Sequence, residues 1–140
     1  MSGAFPPFVA LVLLASCSTS PTAPRGVSLA DPFTLAPGQA AEVAGTGVRI
    51  TFQGVDADSR CPVDVTCVWE GDAVVVVSVR SVAAAAVRHE LHTAGRYPSE
   101  ADAGDYRVRL VGLAPLPRPA ASPAPGDYRA TLLVTRNQQP

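Results

Sequence analysis

Short segments in which apolar and polar residues alternate most constrain the fold of this chain. The clearest is residues 48–53, where Val48, Ile50 and Phe52 alternate with polar residues. A period of two places the apolar side chains on one face of a β-strand. Further segments of strand length, alternating or rich in valine, occupy residues 33–35, 40–43, 74–79, 88–93, 106–110 and 128–134. No long segment has the 3.6-residue period of an amphipathic helix.

Turn signals separate these segments and define the fold class. Gly and Pro occur between the strand-like segments, where they favour turns. Five prolines between residues 114 and 126 exclude that stretch from a sheet interior. About seven strands joined in this way predict an all-β fold, a small antiparallel β-sandwich of immunoglobulin-like architecture with one short-range disulfide. A small closed β-barrel is the alternative.

Several local features refine this prediction. Gly54 interrupts the alternation and predicts a bulge. The valine-rich run 74–79 predicts a central strand buried on much of both faces. The alanine run 83–86 is too short for a stable helix and predicts a hairpin connection. Residues 97–104 are polar and predict a loop.

The N-terminal region resembles a bacterial lipoprotein leader. An apolar run at residues 8–15 is too short to span a bilayer and ends in Leu-Ala-Ser-Cys at Cys17. The resemblance implies that residues 1–16 are a signal peptide and that Cys17 becomes an acylated N-terminus. Residues 17–28 then comprise the lipidated cysteine and a flexible Ser/Thr/Pro tether.

This organisation predicts the location and the remaining boundaries. Residues 29–136 form the β-sandwich domain and residues 137–140 a disordered tail. Lipid chains on Cys17 would anchor the protein to a membrane outside the cytoplasm. The residue after the cysteine is Ser18, which favours the outer membrane if the source is Gram-negative.

Cys61 and Cys67 remain once Cys17 is assigned to the lipid. An even pair of cysteines in an oxidising compartment predicts a disulfide, and Pro62 restricts the loop further. The five-residue spacing differs from the compact Cys-x-x-Cys of thioredoxin-like redox sites. A calcium site is the second alternative, with oxygen ligands available at Asp56, Asp58, Asp64, Glu70 and Asp72, although their spacing does not match an EF-hand.

A candidate binding loop surrounds the two cysteines. Its members are Asp58, Arg60, Asp64, Trp69 and Glu70. Trp69 admits two interpretations: it packs over the disulfide in the core, which we favour, or it is an exposed aromatic anchor for a partner.

The same segment carries a resemblance to a known group of proteins. Asp-Ser-Arg-Cys-Pro at residues 58–62, Cys-Val-Trp-Glu-Gly at residues 67–71 and the valine-rich strand resemble a motif of small, uncharacterised exported bacterial proteins, many with lipoprotein leaders. The similarity covers most of residues 31–136. It implies a compact β-domain with a Cys61–Cys67 bridge and implies no activity.

Charge and residue content narrow the function classes. The net charge is −1, which gives no electrostatic reason to expect nucleic acid. All eleven basic residues are Arg, so chemistry that needs lysine is excluded. His89 and His92 are three apart on a predicted strand and point to opposite faces. No serine lies in a nucleophile elbow.

We therefore expect no catalytic residues, no enzyme activity, no cofactor and no metal ion. The chain is predicted to be a non-catalytic interaction or structural module of the cell envelope, bound to the membrane through Cys17 and to an envelope protein as partner. The alternatives are a proteinase-inhibitor-like β-sandwich and a calcium-dependent binding module.

Overall fold

The computed structural model describes Met1, Gly3 and residues 23–138. Within these residues the chain forms nine strands, one 3₁₀ turn at Pro125–Asp127, and no helix that could cross a membrane. The strands are β1 (Arg25–Val27), β2 (Phe33–Leu35), β3 (Ala40–Val43), β4 (Val48–Asp58), β5 (Ala73–Arg80), β6 (Val87–His92), β7 (Glu100–Ala103), β8 (Tyr106–Ala114) and β9 (Arg129–Arg136). Cys17, and the predicted signal peptide apart from Met1 and Gly3, lie outside the described residues.

The nine strands form two sheets. The first sheet has the order β1-β3-β4-β5-β6, and the second has the order β2-β9-β8-β7. A closed barrel would need a pairing between the two sheets, but the seven pairings of the described strands all lie within one sheet or the other, so each sheet keeps two free edges. The predicted β-sandwich is confirmed, and the barrel alternative is wrong.

Two details of the predicted sandwich differ from the structure. Nine strands are present in the described residues where about seven were expected, because β1 and β7 were not recognised. The sandwich is also not purely antiparallel, since β1 pairs with β3 in parallel, with Arg25 opposite Ala41 and Val27 opposite Val43.

The core lies between the sheets and follows the predicted alternation. Val48, Ile50 and Phe52 of β4 are fully buried, and Leu132 and Val134 of β9 face them from the second sheet. Burying each such side chain contributes roughly 1.5–3 kcal/mol. The prediction for β5 is also confirmed, because β5 is an interior strand with most of its valines buried.

The irregularity that the sequence indicated at Gly54 is present in β4. The register of β4 against β5 shifts between Phe52 and Gly54, as the bulge prediction required, and shifts again between Val55 and Ala57. Residues 81–86 connect β5 to β6 and contain no helix. The proline-rich stretch is the connection between β8 and β9.

Three predicted boundaries need correction. Residues 25–27 belong to β1 and not to the tether, because Val27 packs against the core. Residues 100–103 of the predicted polar loop form β7, where Ala101 and Ala103 are buried among charged neighbours. Asn137 is not a free tail, since its backbone N–H donates to the Asp105 carbonyl at 2.8 Å.

The two ends of the sandwich carry different connections. Residues 59–72, between β4 and β5, and residues 115–128, between β8 and β9, lie at one end. The turn at residues 44–47, between β3 and β4, and the connection at residues 81–86 lie at the other, because β4 and β5 run antiparallel with Arg49 opposite Arg80.

Candidate functional site at the disulfide loop

The disulfide loop, residues 59–72, is closed at its base by backbone hydrogen bonds. Ser59 N–H donates to the Asp72 carbonyl at 2.7 Å, and Cys61 N–H donates to the Glu70 carbonyl at 3.1 Å. Gly71 has a φ of +68°, and a Cβ there would lie 1.8 Å from the Ser59 carbonyl oxygen. The two strands of the loop approach so closely that only glycine fits at this position.

The predicted disulfide is confirmed. Cys61 and Cys67 are bonded with an S–S distance of 2.09 Å and a Cα–Cα distance of 5.9 Å, which is within the usual range. Between them Asp64 has a φ of +66°, a left-handed conformation that Asp tolerates better than most residues. The bridge therefore closes a tight turn and holds it in one shape.

Asp58 and Arg60 fasten the loop to the sandwich. The Arg60 guanidinium donates to both carboxylate oxygens of Asp58, at 2.8 and 2.7 Å. It also donates to the carbonyls of Leu113 and Pro115, at 2.7 and 2.9 Å. Only 11% of the Arg60 side chain and 9% of the Asp58 side chain are exposed. These two members of the predicted binding loop are therefore structural and are not available to a partner.

The contact with Arg60 lowers the pKa of the Asp58 carboxyl group. Burial raises the pKa of Asp58, but the hydrogen bonds and the positive charge of Arg60 lower it by more, so the pKa lies below its ordinary value. Tyr128 also donates to Asp58 at 3.1 Å. Burial, with that hydrogen bond to the carboxylate, raises the pKa of the Tyr128 hydroxyl.

A further hydrogen bond joins the disulfide loop to the proline-rich connection. Val63 N–H donates to the Pro117 carbonyl at 2.9 Å. Leu116 lies between this acceptor and Pro115, whose carbonyl accepts from Arg60, so both of its neighbours are fixed to the loop. The Leu116 side chain is 64% exposed.

The outer part of the disulfide loop presents apolar side chains to solvent. Val68 is 90% exposed, Trp69 is 74% exposed and Val65 is 45% exposed. We call Val65, Val68, Trp69 and Leu116 the apolar tip. The favoured prediction that Trp69 packs in the core is wrong, because the loop leaves β4 at the end of the sandwich and the space between the sheets is filled by strand residues.

The remaining members of the predicted binding loop lie beside this tip. Asp64 and Glu70 are exposed, and neither takes part in a salt bridge among the described residues. Sequence reasoning named these carboxylates and Trp69 correctly as loop residues. It missed Val65, Val68 and Leu116, whose exposure could not be distinguished from burial by composition.

The acidic residues considered for calcium are dispersed. Asp56 pairs with Arg88, Asp58 with Arg60 and Asp72 with His92. Among the described residues no group of three or more His, Cys, Asp or Glu could hold a metal ion. The calcium alternative thus has no geometric support in this part of the chain.

Asp72 and His92 join the base of the loop to β6. His92 Nδ1 lies 2.5 Å from Asp72 Oδ2, and the backbone N–H groups of Thr93 and Ala94 both donate to Oδ1 at 3.0 Å. Burial raises the pKa of Asp72, and the His92 and backbone hydrogen bonds lower it by more. The Asp72 carboxylate therefore holds together the His92 ring and two backbone N–H groups that follow β6.

Comparisons with models of known families, with curated proteins and with solved structures found no match. The site is therefore interpreted from its own geometry. It is a loop closed by a disulfide and hydrogen-bonded to the β8–β9 connection, and the two segments together display the apolar tip, beside which Asp64 and Glu70 are exposed.

Proposed function

We propose that this protein is a non-catalytic interaction module of the bacterial cell envelope, anchored by lipid on Cys17, and that it binds an envelope protein with its apolar tip. The observation that carries the proposal is the exposure of Val68 and Trp69 on a loop that is closed by a disulfide and fastened by Arg60.

Exposed large apolar groups favour binding when they are held rigidly. Trp is enriched among the residues that dominate protein–protein binding energies. A side chain on a preformed loop loses little conformational entropy when a partner covers it. Here the disulfide, the Arg60 contacts and the Val63 hydrogen bond supply that rigidity.

The charges around the tip indicate the chemistry of the partner. Asp64 and Glu70 flank the apolar residues of the disulfide loop, the exposed Arg118 lies two residues beyond Leu116, and Arg60 is already neutralised by Asp58. A complementary surface would offer an apolar pocket for Trp69 with arginine or lysine at its rim, since opposite charges at a rim steer association.

The location proposed here is supported by the leader and by the bridge. The Leu-Ala-Ser-Cys sequence resembles a lipobox, and several acyl chains on one residue give durable anchoring. The Cys61–Cys67 bond is of a type that persists in oxidising compartments outside the cytoplasm.

Site-specific photo-crosslinking in intact cells tests the binding function. A photoreactive amino acid replaces Val68 in one strain and Val111 in a control strain, because Val111 is also exposed but lies on the second sheet. We expect one discrete protein to be captured from position 68 and not from position 111, and Trp69→Ala to reduce that capture by at least about tenfold, as for a binding hot spot.

The outcomes separate the alternatives. A captured peptidase whose activity the protein blocks would replace the general proposal with the proteinase-inhibitor alternative. Equal capture at both positions, or unchanged capture with Trp69→Ala, would contradict a role for the apolar tip.

Lipid anchoring is tested independently with Cys17→Ser. We expect the variant to leave the membrane fraction and to lose the mass increment of acylation in the wild-type N-terminal peptide. Retention in the membrane with an unchanged mature N-terminus would contradict the lipobox assignment, and it would leave the crosslinking result standing.

A further inference from the structure

A second surface of interest lies at the end of the sandwich opposite the disulfide loop. There the β3–β4 turn and the residues 81–86 connection enclose a cleft of about 790 Å³. This volume is in the range of small-molecule sites. The cleft shares no residue with the disulfide loop or with its supporting contacts.

One row of residues crosses the outer face of the first sheet and forms the floor of this cleft. Gly26 of β1 is opposite Glu42 of β3, Glu42 is opposite Arg49 of β4, and Arg49 is opposite Arg80 of β5. All four line the cleft. From the edge of the sheet inward, the row therefore has no side chain at Gly26, then the carboxylate of Glu42, and then two neighbouring guanidinium groups.

The pairing of Arg49 with Arg80 is unfavourable unless a negative charge lies nearby. Directly opposite residues on antiparallel strands have Cβ atoms about 4.5–5.5 Å apart, and like charges there destabilise the sheet. Glu42 approaches Arg49 only to 3.6 Å, and both side chains remain partly exposed. Arg80 takes part in no salt bridge among the described residues.

The geometry points to an anion-binding site: we propose that Arg49 and Arg80 together bind the carboxylate or phosphate group of a small organic molecule in this cleft. Two neighbouring guanidinium groups offer several N–H donors to one anionic head group, and such charge-assisted hydrogen bonds are stronger than neutral ones. The proposal does not depend on the function proposed for the apolar tip.

The walls of the cleft indicate what the anionic group is attached to. Val82, which is 82% exposed, and Ala84 and Ala85 line one side. Gly26 adds no side chain at the edge of the row, and a Cβ there would meet nothing within 4 Å. The cleft thus has room for a short apolar body next to the head group.

Titrations followed by backbone amide NMR of the full-length protein in non-ionic detergent micelles test this proposal. The probes are inorganic phosphate, acetate and butyrate, each at constant ionic strength with chloride as the balancing anion. We expect saturable shifts at Gly45, Gly47 and Ala84, and tighter binding of butyrate than of acetate because Val82 contacts its chain. Saturation by phosphate alone would assign the head group as phosphate, and saturation by both carboxylates alone would assign it as a carboxylate.

Three matched variants make the test specific. Arg80→Gln should weaken binding by about tenfold or more, the loss expected for charged hydrogen bonds. Glu42→Gln should strengthen it, because the competing carboxylate is removed. Arg109→Gln, on the outer face of the second sheet, should leave it unchanged.

The unliganded variants give a second readout. Arg80→Gln should melt no lower than the wild type, since it relieves the repulsion from Arg49, and a folding defect is therefore not expected to obscure the titration. Non-saturating shifts with every probe, or equal weakening by Arg80→Gln and Arg109→Gln, would overturn the proposal.

Discussion

The Tyr128 hydroxyl donates a 3.1 Å hydrogen bond to Oδ2 of Asp58, 70 residues earlier in the chain. Asp58 is the last residue of β4 in the first sheet, and Tyr128 immediately precedes β9 in the second. The same carboxylate oxygen accepts from Arg60 at 2.7 Å. One carboxylate thus connects both sheets to the loop that carries the apolar tip.

We expect Tyr128→Phe to lower the free energy of unfolding by about 1.5 kcal/mol, because a hydrogen bond to a buried charged group is lost while the ring is kept. Urea denaturation at pH 7 measures the change. Tyr106→Phe is the control, since its hydroxyl makes no hydrogen bond to a described side chain, and it should change stability by less than about 0.5 kcal/mol. Equal effects of the two substitutions would contradict the role assigned to Tyr128.

The stability of the domain should fall as the pH is lowered into the acid range. The pKa of Asp58 and of Asp72 lies below the ordinary value of 3.8 in the folded protein. Unfolding therefore raises both pKa values, so their contribution is complete above about pH 4 and is lost as the pH falls from 3.8 through the folded values. Denaturation midpoints between pH 7 and pH 2 measure this loss.

Asp58→Asn isolates the part of this pH dependence that belongs to one carboxylate. The variant should be less stable at pH 7 and should lose less further stability on acidification than the wild type. Asp31→Asn, at an exposed position, should follow the wild-type profile. A profile of Asp58→Asn parallel to that of the wild type would show that the Arg60 contact does not stabilise the ionised carboxylate.

Reduction of the Cys61–Cys67 bond should destabilise the domain without unfolding it. The chain-entropy estimate for so short a loop is about 2 kcal/mol. The core contains neither cysteine, and Arg60 still holds the base of the loop. Melting with and without a reductant measures the change, and the amide NMR signals of core residues such as Val75 and Leu132 should stay in place. Global unfolding on reduction would contradict this.

Gly71→Ala should cost more than Gly38→Ala, although both glycines have positive φ. At Gly38 a Cβ meets nothing within 4 Å, so only the left-handed backbone is penalised, by about 1–2 kcal/mol. At Gly71 the Cβ also collides with the Ser59 carbonyl, and the base of the loop must open. Equal losses in thermal denaturation would mean that the close approach at Gly71 is not stabilising.

Much of the sandwich could be predicted from the sequence because side-chain alternation reports directly on burial. The faces of β4, β8 and β9 follow the alternation of Val48, Val108 and Ala130 with polar neighbours. Two strands were not predicted. β1 shows no alternation of buried and exposed residues and pairs with β3 rather than with the next strand, whereas β7 alternates buried alanines with charged residues, so its segment has the composition of a polar loop.

The candidate site was predicted only in its covalent part. The cysteine count and the compartment expected from the leader were sufficient to predict the disulfide, but the position of Trp69 depended on where the loop lies relative to the sheets. The partners of Asp58 are Arg60, two residues away, and Tyr128, 70 residues away. The distant contact leaves no local pattern, so a carboxylate that fixes the fold looked like one available for binding.

The early start of β1 limits how far the domain can move from a lipid on Cys17. The eight peptide units from Cys17 to Arg25 span at most about 29 Å, whereas the eleven residues of β4 extend roughly 34 Å. Since β1 runs parallel to β3, its N-terminal end faces the end of the sandwich that bears the disulfide loop. With the anchor proposed here, the apolar tip stays within a thin layer along the bilayer surface. Its encounters with a partner then depend on diffusion in two dimensions, which favours partners embedded in the same leaflet.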